Sequence, residues 1–224
     1  MIERLPFSSY VLIAANMIPL IGVIFFEWDA VLVLALFWIE NLIIGGFNIV
    51  RIISAGLITR KKEAILTTVF FIFHYGLFCS VHGQLLTDIL NYPAIDYRTY
   101  FSATDFGLLE LFLEGAAVLM TFIDRLSPTI WLGITALLLS RLVSFIENFL
   151  LRGDIFSVRI NKLMVEPYNQ IIVMHIGLIA GAALLEKLQS PVWLLAIIVV
   201  LKMFFDFHQH KKRHERTDER IKDI

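Results

Sequence analysis

The sequence predicts an all-α fold, a polytopic bundle of transmembrane helices, on three observations. Hydrophobic residues make up 58% of the chain and charged residues 17%, against about 25% charged in a soluble domain. No water-soluble globule hides that much apolar surface. A crossing helix needs about 20 mostly apolar residues, so 224 residues accommodate about six or seven spans with short loops and no separate soluble domain. Finally, most Lys and Arg gather in three clusters while the apolar segments are nearly free of them, a distribution that the net charge of −1 conceals. That pattern concerns topology rather than nucleic acid, and no nucleic-acid partner is expected. The organisation is a transmembrane helical domain over residues 1–210 and a charged cytoplasmic tail over residues 211–224.

The first span is expected over residues 8–26. Its start is weakly charged and lacks a small-residue cleavage site, which favours a retained helix over a signal peptide. The second is expected over 30–53 and the third over 64–86. The third holds Cys79, the only cysteine, so an intramolecular disulfide is excluded. Three further spans are expected over 128–151, 167–185 and 191–207. Each begins at a proline, in Ser127-Pro128, Glu166-Pro167 and Ser190-Pro191, where the missing N–H costs nothing in a first turn.

Residues 105–124 admit two descriptions. Their Leu, Phe and Ala content suits a seventh span, whereas Glu110, Glu114, Thr121 and Asp124 fall near one stripe, as in a helix lying in the interface. Basic residues flanking spans prefer the cytoplasm. With six spans and a cytoplasmic N-terminus, three clusters lie inside: Arg51, Arg60, Lys61 and Lys62; Arg152, Arg159 and Lys162; and the tail from Lys211 to Lys222. A seventh span at 106–123 exports the second cluster and the tail. The preferred count is therefore six, with an interfacial or re-entrant helix near 106–123 and seven spans as the other count. The protein is expected in the cell membrane with both termini cytoplasmic. Its partner is the lipid bilayer, and Lys211-Lys212-Arg213 either attracts anionic lipid headgroups or serves only as a topology signal.

A short internal echo is present. Ile39-Glu40-Asn41 recurs as Ile146-Glu147-Asn148, and His74-Tyr75-Gly76-Leu77 resembles His175-Ile176-Gly177-Leu178; six spans make each matched pair parallel, as in a parallel repeat.

Ionisable groups within spans cost about 2.5 to 3.5 kcal/mol each on insertion scales, so each needs a reason. Glu40, His74, Arg141 and His175 fall near mid-depth and His82 lies further out, while Lys202, Asp206 and His210 run toward the cytoplasmic end of the last span. One reason is a metal site for zinc or another divalent ion with Glu40, His74, His175, Asp206 and His210 as ligands or general base, since imidazole and carboxylate suit such ions. An open position on the metal would activate water against an amphipathic ester or amide. The other reason is structural: buried polar side chains hydrogen-bond across helices, with Glu40 paired to Arg141 and Lys202 to Asp206. No compact motif such as His-Glu-x-x-His is present. His74 and His82, eight residues apart, diverge by about 80° around a helix and do not easily share one ion. Gly76, Ser80 and Gly83 make a small-residue stripe suited to close helix approach. Trp28, Trp131 and Trp193 sit near span ends as interfacial anchors, and Trp38 does not.

The runs Phe37-Trp38-Ile39-Glu40-Asn41, Phe70-Phe71-Ile72-Phe73-His74-Tyr75-Gly76 with His82-Gly83, Pro167-Tyr168 with His175, and Leu201-Lys202 with Asp206 and His210 resemble a family of prokaryotic multipass membrane proteins known only by a domain-of-unknown-function label. The resemblance covers the chain from the second span to the last and implies a membrane location without an activity. At Ser140-Arg141 it implies Ser-His, so one ligand position is an arginine in this chain. The residue types, though not their spacing, are also similar to those of seven-helix zinc hydrolases such as the alkaline ceramidases and adiponectin-receptor-like proteins. Two functions therefore stand side by side: a metal-dependent membrane hydrolase, and a non-enzymatic transporter or structural protein whose polar residues form interhelical networks.

Overall fold

The computed structural model describes residue 17 and residues 19–93, 95–102, 107–126, 128–151, 153–188 and 190–204. Among them there are helices and no strand. In order they are α1 (residues 19–25), α2 (Ala30–Thr59), α3 (Glu63–Ile89), a 3-10 turn (Tyr97–Thr99), α4 (Gly107–Ile123), α5 (Pro128–Ser144) running into a π-helix (Phe145–Leu151), α6 (Asp154–Ser157), α7 (Ile160–Val165), α8 (Tyr168–Leu188) and α9 (Pro191–Phe204). Four helical stretches are long and apolar enough to cross a membrane: Ala30–Thr59, Glu63–Ile89, Trp131–Leu151 and Ile160–Ala180. Pro191–Phe204 is apolar but shorter. Most of the expected first span, and the last residues of the expected sixth, lie outside the described residues.

Helix ends depart from the hydropathy reading for an identifiable reason. Expected to stop near 53, α2 continues to Thr59, where Arg60 turns left-handed (φ 54°) and the Lys61 N–H donates to Gly56 O at 3.0 Å. Likewise α3 runs past 86 to Ile89, with Asn91 at φ 49° and the Tyr92 N–H donating to Thr87 O at 2.8 Å. Both are left-handed caps that satisfy the last carbonyls. The expected start of the fifth span at Pro167 is also corrected: α8 starts at Tyr168, and Pro167 occupies the turn after α7. Proline cannot donate to the carbonyl four residues back, which is Leu163 O. That carbonyl instead accepts from the Asn48 amide at 2.8 Å, so a side chain on α2 supplies the bond that Pro167 withholds.

The chain divides into two compact units, residues 31–175 and residues 1–30 with 176–224. Within the larger unit, the helix directions follow from pairs of contacts. Trp38 against Cys79, Asn41 against Tyr75, and Gly56 against Ala64 make α2 and α3 antiparallel. Leu36 against Gly133, Glu40 against Arg141, Phe47 against Phe145 and Arg51 against Phe149 make α2 and α5 parallel. His74 against Tyr168 and His82 against His175 make α3 and the start of α8 parallel. At the end of the unit where α2 finishes, Ile52, Ala55, Ala64, Ile155, Ile160 and Leu163 join one apolar cluster. The α2–α3 turn with Arg60, Lys61 and Lys62 therefore shares an end with Arg159 and Lys162.

The small-residue stripe on α3 does what its spacing suggested. A Cβ on Gly76 would meet Phe112 at 2.7 Å, one on Gly83 would meet the Trp38 indole at 2.6 Å, and Gly115 of α4 lies so close to Ser80 that a Cβ there would meet the Ser80 Cα at 2.8 Å. The opposite face of α4 is polar. Arg98 reaches Glu110 at 3.9 Å, and the Tyr100 hydroxyl lies 3.3 Å from the Thr121 hydroxyl and 3.4 Å from an Asp124 carboxylate oxygen. In the smaller unit, Gly177 of α8 lies against Ile198 of α9, and Leu178, Leu194, Leu195 and Val199 are buried.

Candidate functional site

The polar residues of the larger unit resolve into pairs between helices. Glu40, 7% exposed, lies 3.5 Å from the Arg141 guanidinium, the partner that the sequence reading weighed for it. Two residues earlier Trp38, 1% exposed, donates its indole N–H to Cys79 O at 2.8 Å. This explains a tryptophan away from the interface. The Tyr75 hydroxyl donates to Asn41 O at 2.9 Å.

The seam between α3 and α8 holds the histidines. His74 Nδ1 lies 2.7 Å from the Tyr168 hydroxyl, and His82 Nε2 lies 2.9 Å from His175 Nδ1. On α3 the rings of Phe70, His74, Phe78 and His82 follow one another at four-residue intervals, with neighbouring centroids 4.9, 5.1 and 6.2 Å apart. Eight residues on α3 rise about 12 Å and seven on α8 about 10.5 Å, so the two pairs stay in register along parallel helices. Between His82 and His175 one nitrogen has to donate and the other accept, so at least one ring is neutral at any moment. At the N-terminal end of α8, Arg51 binds Glu166 at 2.8 Å and also stacks on Phe149 of the π-helix, 5.1 Å from its centroid.

Among the five residues proposed as ligands, Glu40, His74 and His175 are each engaged with a different partner, while Asp206 and His210 lie outside the described residues. Among the described residues no group of three or more His, Cys, Asp or Glu side chains is placed to hold a metal ion. Sequence reasoning set His82 apart and matched His175 with His74; the structure pairs His175 with His82. The signal for this pairing was the spacing itself, eight residues from His74 to His82 and seven from Tyr168 to His175, which is two turns in each helix. The Ile-Glu-Asn echo does not carry over into matching environments. Glu40 is buried in α2, whereas Glu147 is exposed in the π-helix.

The sequence model of a family of unknown function, DUF6498, matches residues 2–222 of this chain. The chain therefore belongs to that family. No curated protein and no solved structure matches it.

Proposed function

We propose that this member of the family is a six-span protein of the cell membrane, with both termini cytoplasmic, whose in-membrane polar residues form a non-enzymatic interhelical network. The observation that carries the network is the set of inter-helix pairs, Glu40–Arg141, His74–Tyr168, His82–His175 and Asn48–Leu163 O. In a bilayer, a polar side chain that finds a partner on another helix ties the two together. Support for six spans comes from helix direction. α5 starts at the end of the unit where α3 finishes, so the segment carrying α4 leaves and returns on one side, as an interfacial or re-entrant helix does. The basic residues around Arg60 and Arg159 share the opposite end, which suits the cytoplasmic side. Replacing His82 by Phe in the full chain tests the network: detergent-purified protein should unfold at a lower temperature than wild type. Unchanged unfolding would remove His82–His175 from any structural role.

A second reading, a metal-dependent hydrolase of an amphipathic substrate, is favoured by one observation, the facing nitrogens of His82 and His175 at 2.9 Å. Tetrahedral zinc holds two imidazole nitrogens about 3.3 Å apart, so these two rings would have to part by a few tenths of an ångström to bind one ion. The sequence reading gives Glu40, His74, His175, Asp206 and His210 as donors, and in this proposal His82 replaces His74. Elemental analysis of the purified protein separates the readings. Stoichiometric metal that is lost on His175→Ala with the fold retained supports the hydrolase, and a metal-free folded protein supports the network.

A further inference from the structure

We infer that the α3–α8 seam is a proton relay, a role that rests on the reading of α3 and α8 as membrane spans. Groups with exchangeable protons follow one another along it: Glu166 bound to Arg51, the Tyr168–His74 pair, and the His82–His175 pair. On α3, His74 and His82 stand 11 and 19 residues beyond Glu63, about 16 and 28 Å along the helix axis. From Glu166 to His175 the column rises about 13.5 Å, about half of a hydrocarbon core about 30 Å thick. Imidazole suits the step because it accepts at one nitrogen while it donates from the other.

The step balances as follows. His175 starts with its proton on Nδ1, donated to the lone pair on Nε2 of His82, which holds its own proton on Nδ1. A proton arriving at Nε2 of His175 makes an imidazolium, the Nδ1 proton passes across the 2.9 Å bond to Nε2 of His82, and His82 releases the proton from its Nδ1. Each passage leaves both rings in the other tautomer, so they must reset before the next. Between the two pairs stands Phe78, its ring 5.1 Å from His74 and 6.2 Å from His82, so passage from one pair to the next requires water to enter beside that ring. Of the other titratable groups bordering the seam, Tyr75 donates to Asn41 O, Arg141 pairs with Glu40, and Cys79 is a buried free thiol.

The test uses the full chain in liposomes that enclose a pH-sensitive dye, with a potassium gradient and valinomycin setting the potential. Wild type should acidify or alkalinise the lumen faster than protein-free vesicles. His82→Gln and His175→Gln should fall to the protein-free rate while keeping wild-type size-exclusion and circular-dichroism profiles, and Tyr100→Phe in the loop should conduct as wild type does. Wild-type flux equal to that of protein-free vesicles overturns the relay, as does full flux in a folded His82→Gln protein. The wild-type comparison stands even where a variant does not fold. Span assignment is read separately, from labelling of cysteines introduced at the helix ends, so its failure is distinguishable from failure of the relay.

Discussion

Asn48 is 2% exposed and sits 115 residues from the carbonyl it serves, yet its role depends on one atom that Pro167 lacks. Asn48→Ala leaves Leu163 O without that donor, which costs about 1 to 3 kcal/mol for a buried group. Pro167→Ala restores a backbone N–H four residues beyond Leu163, so the loss on Asn48→Ala should shrink by about 1 kcal/mol when Pro167→Ala is already present, a coupling read from a double-mutant cycle of thermal unfolding. Equal losses with and without Pro167→Ala would show that the two residues act independently. Trp38 separates packing from hydrogen bonding in the same way. Trp38→Phe removes the bond to Cys79 O at a cost of about 1 kcal/mol, and Trp38→Ala should cost about 3 to 5 kcal/mol by opening a cavity. For Glu40, Arg141→Met withdraws a cation 3.5 Å away and should lower the unfolding temperature. Glu40→Gln with Arg141→Met should recover part of that loss, because the buried carboxylate is then gone.

Between residue and fold, the elements were legible where hydropathy speaks and blurred where hydrogen bonding decides. Apolar runs located α2, α3, α5 and α8, but their ends depend on caps such as Arg60 at φ 54°, which no apolar count detects. A non-glycine residue in that conformation is strained, so Arg60→Gly should raise stability by up to about 1 kcal/mol, measured by thermal unfolding. A fall would mean that the arginine side chain matters more than its backbone. The α3–α4 contact gives the opposite sign. Gly115→Val drives a branched side chain toward the Ser80 backbone and should cost about 1 to 3 kcal/mol through overpacking. The stripe Glu110, Glu114, Thr121 and Asp124 was readable as a polar face, but its cover by Arg98 and Tyr100 was not, because that covering segment has no periodic signature.

At the scale of the molecule, topology is the property most open to test. Cysteines introduced at Arg98 and Arg125 should react with a membrane-impermeant reagent from the same side of the membrane, and one at Lys61 from the other. Opposite sides for 98 and 125 would make α4 a crossing helix and give seven spans. Composition alone determined that this chain is helical and apolar enough for a membrane, since a high apolar content and about 20-residue runs leave backbone groups no other way to be satisfied in lipid. Spacing alone also supplied the histidines and the carboxylate as groups in need of partners. Only the tertiary structure decided which partner each one takes. A helix face is fixed by local periodicity, but a pairing such as His82 with His175 depends on the register and direction of two helices whose contacting residues are 93 positions apart, and neither is encoded in any local stretch of sequence.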